Sequence, residues 1–259
     1  MDPDRVHDIL EDGFDRYARP DFIDLDPVSV PRRFARRDDA EIAGFFAAVL
    51  AWGQRVTILN KCQDLLDRMD RAPADFIRHH TEADLRRLEG FVHRTFNDTD
   101  LLYFVHALQR IDREHGGLEA VVARGMGDAD NIGPGLAHLH DVFFDDQLAP
   151  PRTRKHVATP IRKSTCKRLN MYLRWMVRTA NEGVDLGIWT RITPSALLCP
   201  LDVHVARSAR HLGLLTRRQN DWKAVVELTD NLRRHDPIDP VRYDIVLFAL
   251  SESGDLAAL

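Results

Sequence analysis

Apolar residues recur at three- and four-residue steps along almost the whole chain, and clean two-residue alternation is scarce, which predicts an all-α protein. The pattern over 38–69 opens on Asp38, Asp39 and Glu41, runs through Ile42, Phe45, Phe46, Val49 and Leu50, and breaks at Gly53. Further helices are predicted over 74–79, 82–88, 98–114, 117–124 and 134–144, with 125–135 read as a Gly- and Asp-rich loop. Residues 147–160, with Pro150, Pro151 and Pro160 among Arg and Lys, read as an extended connection. Beyond it, helices are expected over 164–180, 184–191 (short), from Pro194, and over 200–213, 222–234 and 239–250. Asp221 and Asp239-Pro240 supply N-cap signals for the last two. The connection divides the chain into an N-terminal helical subdomain, 1–150, and a C-terminal one, 151–259, with an active-site cleft expected between them.

Charge sharpens this picture. The 259-residue chain has a net charge of −4, yet the segment between Gln147 and Asn181 carries nine Lys or Arg and no Asp or Glu. A basic stretch in an acidic protein predicts a local anion-binding face, not general coating of a polyanion. Three widely separated cysteines, Cys62, Cys166 and Cys199, make neither a disulfide framework nor a Cys-x-x-Cys metal pair. No apolar run of about 18 residues is present to span a bilayer, and Met1-Asp2-Pro3-Asp4 lacks the start of a signal peptide, so a cytoplasmic protein is expected.

Within the basic stretch, Lys167, Met171, Arg174 and Arg178 are spaced by four, three and four, which puts them on one helical face. A Lys amine among other cations is favoured in the neutral form that a nucleophile needs, while a solvated basic face explains the same pattern without chemistry. Thirty-five residues on, Leu201-Asp202-Val203-His204-Val205-Ala206-Arg207 places Asp202 at an N-cap, and Ala209-Arg210-His211-Leu212-Gly213 follows. Capping alone accounts for an Asp at that position. His138-Leu139-His140-Asp141 and His79-His80 raise a metal-dependent phosphohydrolase of the helical His-Asp type as an alternative enzyme.

Taken together, the Lys-bearing helix and the Asp-Val-His helix start resemble the active-site signature of the helix-hairpin-helix DNA glycosylases, the endonuclease III superfamily. In that superfamily a Lys opens one helix, and (V/L)-D-(T/V)-H-(V/I)-x-R begins a later one, commonly with R-x-x-x-x-L-G following. Asp202 to Arg207 and Arg207 to Gly213 are similar to both, closest to the 8-oxoguanine glycosylase branch and especially its archaeal type. The Leu-Pro-Gly-(Val/Ile)-Gly hairpin is missing. Here the chain reads Pro160-Ile161-Arg162-Lys163-Ser164-Thr165-Cys166-Lys167, so the hairpin element is atypical.

The resemblance implies a base-excision glycosylase that removes an oxidised purine, most readily 8-oxoguanine, from double-stranded DNA, with a Lys Schiff base and β-lyase step. Lys167 and Asp202 would be catalytic. Trp52, Gln54, Trp222 and His204 would contact the substrate, and Lys163, Arg168, Arg174, Arg207 and Arg210 the DNA backbone. It further implies a nucleoid-associated monomer with no metal or cofactor, because the cysteines do not form the four-cysteine iron–sulfur motif of endonuclease III. A non-catalytic binder of damaged or structured DNA using the same fold is the competing reading.

Overall fold

The protein is all-α, and the computed structural model describes residues 2–23, 26–179 and 181–258. Helices are α1 (Pro3–Tyr17), α2 (Arg37–Leu50), α3 (Arg55–Arg68), α4 (Pro73–His79), α5 (Glu82–Arg86), α6 (Asp98–Arg110), α7 (Leu118–Met126), α8 (Gly133–Phe143), α9 (Lys167–Val177), α10 (Val203–His211), α11 (Trp222–Leu232) and α12 (Asp244–Ser253). A two-residue β-hairpin, β1 (Val92–His93) with β2 (Phe96–Asn97), pairs antiparallel with Val92 opposite Asn97. Among the described residues no helix is long and apolar enough to cross a membrane.

The chain divides into two compact units, but not at residue 150. The first comprises Met1–Asp24, Asp130–Gly133 and Thr159–Leu259; the second comprises Leu25–Ala129 and Pro134–Ala158. The sequential division fails because α1 belongs with the C-terminal helices: Val6, Leu10 and Phe14 form a buried stripe, and α1 packs on α12. Nothing in the 1–36 segment was read as helical, although Asp2 caps α1 and Pro3 occupies its first turn. The contact is close at Gly13, where an added Cβ would lie 2.4 Å from Val246 Cγ1. Gly13→Ala should therefore cost about 1–3 kcal/mol of stability through overpacking, measured as a lowered denaturation midpoint.

In the first unit α12 is the central helix, buried on most sides through Ile245, Val246, Leu247, Ala249 and Leu250 and packed on α10 as well as α1. The 184–191 segment is not helical. Its backbone donors go instead to the end of α9, Leu186 N–H to Trp175 O and Trp189 N–H to Met176 O, both at 2.8 Å, which lays it as a strap along that helix. The helix expected over 164–180 starts at Lys167 and ends at Val177, with Ala180 outside the described residues.

The second unit is organised around aromatic side chains. Phe45, Phe96, Phe104 and Phe143 are all buried, and the Phe104 ring lies 4.8 Å from Phe143 and 5.2 Å from Phe96, both edge-on. The 98–114 pattern is met by α6 and a π-turn over Ile111–His115, which stops at left-handed Gly116. The proline-rich 147–160 connection is shaped into a 3₁₀ turn over Pro151–Lys155, not fully extended. The basic stretch thus straddles the division between units at Ala158 and Thr159.

Candidate active site

Lys167 stands at the first position of α9 and Asp202 at the N-cap of α10, both in the first unit. Asp202 divides its carboxylate between two tasks. Oδ1 accepts the backbone N–H groups of His204 and Val205, each at 2.9 Å, satisfying the open donors of the helix start. Oδ2 is left facing Lys167 Nζ at 3.6 Å. That separation gives an ion pair but is long for a hydrogen bond, so the amine is attracted without being clamped. The two side chains remain 31% and 19% exposed, which leaves the pair within reach of a substrate from outside.

The approach to Lys167 turns sharply without glycine. Pro160–Arg162 make a 3₁₀ turn capped by Thr159, whose hydroxyl accepts from Ile161 N–H, and the chain then takes left-handed backbone at Lys163 (φ 60°) and Cys166 (φ 48°). Such a conformation costs roughly 1–2 kcal/mol for a residue with a Cβ, and several local bonds offset it. Ser164 Oγ accepts from Cys166 N–H at 3.1 Å, Asn170 Nδ2 donates to Thr165 O at 3.0 Å, and Lys163 O accepts from Trp222 N–H at 3.2 Å. Buried Cys166 has its thiol pushed up to about 12 by desolvation, which keeps it protonated at neutral pH.

The remaining residues expected around this pair separate into distinct groups. Lys163 is exposed. Arg207 is also exposed, donating to Ser251 Oγ at 3.3 Å. Arg168 is half-buried, and desolvation pushes its guanidinium down to about 10, so it still carries its charge at neutral pH. Arg174, expected on a DNA-facing surface, is buried: it pairs with Asp185 and Asp244. Arg178, read on the same face, is buried against Asp185 and Asp239. At Arg174 and Arg178 the four-three-four face of α9 turns into the protein, where Asp185, Asp239 and Asp244 pair with it.

Arg210 also departs from a phosphate-binding role. Its Nε and Nη2 donate to Arg217 O at 3.0 and 2.7 Å, and Nη2 also to Arg218 O and Asn220 Oδ1, clamping the loop before α11. The His204 ring packs edge-on against Phe248 at 5.5 Å with Nδ1 3.4 Å from Ser251 Oγ, which makes it a helix-packing residue. Trp222 is half-buried with its ring against Gly133, where an added Cβ would meet Cζ2 at 3.0 Å.

Trp52 and Gln54 belong to the second unit. The Trp52 ring is edge-on to His93 at 5.8 Å, and the Arg94 guanidinium lies over it at 5.3 Å. Gly53 between them has φ 110°, and a Cβ there would come within 2.5 Å of Arg94 Nη1, so the turn requires glycine. Gln54 is exposed at the N-cap of α3 with its side chain making no cap bond. Arg94 and His93 escaped sequence reading because strands of two residues leave almost no alternation to detect.

Among the described residues no group of three His, Cys, Asp or Glu side chains is arranged to hold a metal ion, and His140, a residue of the phosphohydrolase alternative, is buried with Nδ1 2.7 Å from Val157 O. Asp244 was missed as well, although an Asp opening the run Asp244-Ile245-Val246-Leu247-Phe248-Ala249-Leu250 is the pattern of a charge that must be buried and paired. No curated protein and no solved structure gives a significant match. Residues 26–253 match the family described as "Protein of unknown function (DUF2400)", and with most of its length covered the chain belongs to that family.

Proposed function

We propose that this protein is a DNA glycosylase of base-excision repair that removes an oxidised purine, with 8-oxoguanine the first lesion to test, and then nicks the strand through a lysine imine. The single observation that carries the reading is the approach of Lys167 Nζ to the uncapped oxygen of Asp202, two residues thirty-five positions apart that the sequence had already singled out. Breaking an N-glycosidic bond builds positive charge on the sugar, and a carboxylate beside an amine supplies both stabilisation of that charge and a nucleophile.

In this mechanism the Lys167 amine, having lost its proton, attacks the anomeric carbon as the bond to the base breaks, and the base departs with the electron pair and takes up a proton. Asp202 faces the developing cation. Ring opening gives an imine, a proton is lost from the neighbouring carbon, and the 3′ phosphate leaves by β-elimination. Water then frees the lysine. Lys163, Arg168 and Arg207 are assigned to phosphates, whereas Arg174, Arg210, His204 and Trp222 are used for packing and pairing.

The test incubates purified protein with an 8-oxoguanine duplex and sodium borohydride, and a covalent adduct is expected. If no base is released from a panel of oxidised, alkylated and deaminated lesions while duplex binding persists, the enzyme is a binding protein instead; the already closed Lys167–Asp202 ion pair is the feature that favours that second reading. Binding has its own signature. Lys163→Ala and Arg207→Ala should each weaken duplex affinity and reduce the slope of log K against log salt by about 1. Arg210→Ala should leave the slope unchanged, because its guanidinium is already committed to the 217–220 loop.

A further inference from the structure

A cleft of about 390 Å³ opens in the first unit between the start of α1, the turn after α10 and the end of α11. It lies at the opposite end of α10 from Asp202, and the nine residues of that helix put about 14 Å along its axis between the two. The volume is in the range that takes a small organic ligand. Buried Val6, Leu212 and Leu214 give the cleft an apolar wall, and Asp4, His7, Arg234 and His235 give it a polar one.

The His7 and His235 rings stack with 5.7 Å between centroids and 12° from parallel, which joins α1 to the turn that ends α11. His7 and Arg234 are exposed and His235 is half-buried. Three basic side chains thus converge, and the neighbouring carboxylates are used elsewhere. Glu11, one turn along α1 from His7, accepts from Arg242 Nη2 at 2.7 Å and from the Tyr243 hydroxyl. Asp236, next to His235, pairs with Arg242 Nη1 at 3.1 Å and accepts the N–H groups of Ile238 and Asp239. Asp4 lines the cleft, but the side chains of His7, Arg234 and His235 have no ion-pair partner among the described residues.

Backbone donors at the mouth are spent as well. Asp4 N–H goes to Asp2 Oδ1, Gly213 N–H to Arg210 O, Leu214 N–H to Ala209 O and His235 N–H to Leu232 O. What the cleft offers a ligand is therefore a guanidinium and two imidazoles beside an apolar wall. Burial pushes His235 below its ordinary range, and His7 and Arg234 push it further against a weaker pull from Glu11, so an arriving anion relieves a repulsion already present. A guanidinium fork suits the oxygens of a phosphate, and the apolar wall suits an organic body attached to it.

We propose that this cleft binds a phosphate monoester, with the phosphate held by Arg234, His7 and His235 and the body of the ligand against Val6, Leu212 and Leu214. The site is separate from the Lys167–Asp202 pair and does not depend on the glycosylase reading.

Isothermal titration calorimetry of the full chain decides it, with phenyl phosphate, guanosine 5′-monophosphate, inorganic phosphate and succinate as probes. The first two carry the phosphate on a planar body, and one or both should bind about tenfold tighter, or more, than inorganic phosphate or succinate. Arg234→Gln and His7→Asn, both at exposed positions, should each weaken the tighter ester about tenfold. Asp4→Asn should instead tighten it roughly threefold at low salt by removing a competing carboxylate, a gain that loss of folding cannot imitate. Lys163→Gln, beside the Lys167 site, should leave the affinity unchanged. The proposal is overturned if neither ester binds at up to about 10 mM, or if inorganic phosphate or succinate binds as tightly as the esters. It is also overturned if Arg234→Gln and His7→Asn leave the affinity unmoved, if Asp4→Asn weakens it, or if Lys163→Gln abolishes it, which would put the ester at the Lys167 site.

Discussion

Lys167→Gln is expected to abolish borohydride trapping on a lesion duplex, and Asp202→Asn to slow base release by about a hundredfold or more, with little loss of folding stability in either case. The separation of chemistry from stability follows from how the two residues are held. Asp202 Oδ1 caps α10 and Oδ2 faces the amine, and an Asn side chain keeps an oxygen for the cap while removing the negative charge. Asp202→Ala removes both functions and should cost about 1 kcal/mol of stability in addition. Lys167 occupies the first turn of α9, where its side chain is partly exposed, so Gln is accommodated there. Single-turnover base release and denaturant unfolding, measured on the same preparations, read the two effects. Equal rates for wild type and both variants would remove Lys167 and Asp202 from the mechanism.

The helical fold and the helix starts that carry Lys167 and Asp202 were legible in the sequence because they rest on local rules. Helix starts at Asp202, Asp221 and Asn97 carry side chains that cap their own backbone, and each is visible as a short pattern. The pairing of Lys167 with Asp202 was legible only through the motif, since spacing alone cannot bring residues of two helices together. What the sequence did not disclose was which cations are exposed. Arg174 and Arg178 look like a solvated stripe beside Lys167 until Asp185, Asp239 and Asp244 are found against them, and those acids lie in a strap, a turn and a helix start whose positions depend on tertiary packing. Arg210 misled for the same reason: its partners are backbone carbonyls of the 217–218 loop, which have no sequence signature. The N-terminal helix had the signal, an Asp-Pro start and a Val6–Leu10–Phe14 stripe, but membership of the C-terminal unit depends on Gly13 admitting Val246.

Arg174→Met should destabilise the protein by about 3–5 kcal/mol at neutral pH, the range for breaking one side of a buried ion pair. The guanidinium is 10% exposed and holds Asp185 and Asp244, whose side chains are 0% and 8% exposed, so its removal takes from two buried carboxylates a cation that they are paired to. The cost should depend on pH, and the sign can be fixed. Asp244 is raised in the folded protein to about 6 from an ordinary value near 4, so its contribution to stability is complete below about pH 4 and is lost as the pH rises through 6. Arg174 is what restrains that rise; without it the folded carboxyl binds its proton more tightly, and the charge that must be buried at pH 8 is less tolerated still. Unfolding followed from pH 5 to 8 should therefore show Arg174→Met falling further below wild type as pH increases. A difference that is constant with pH would mean that the Asp244 charge does not set the cost, and that the loss comes from packing of the Arg174 stem alone.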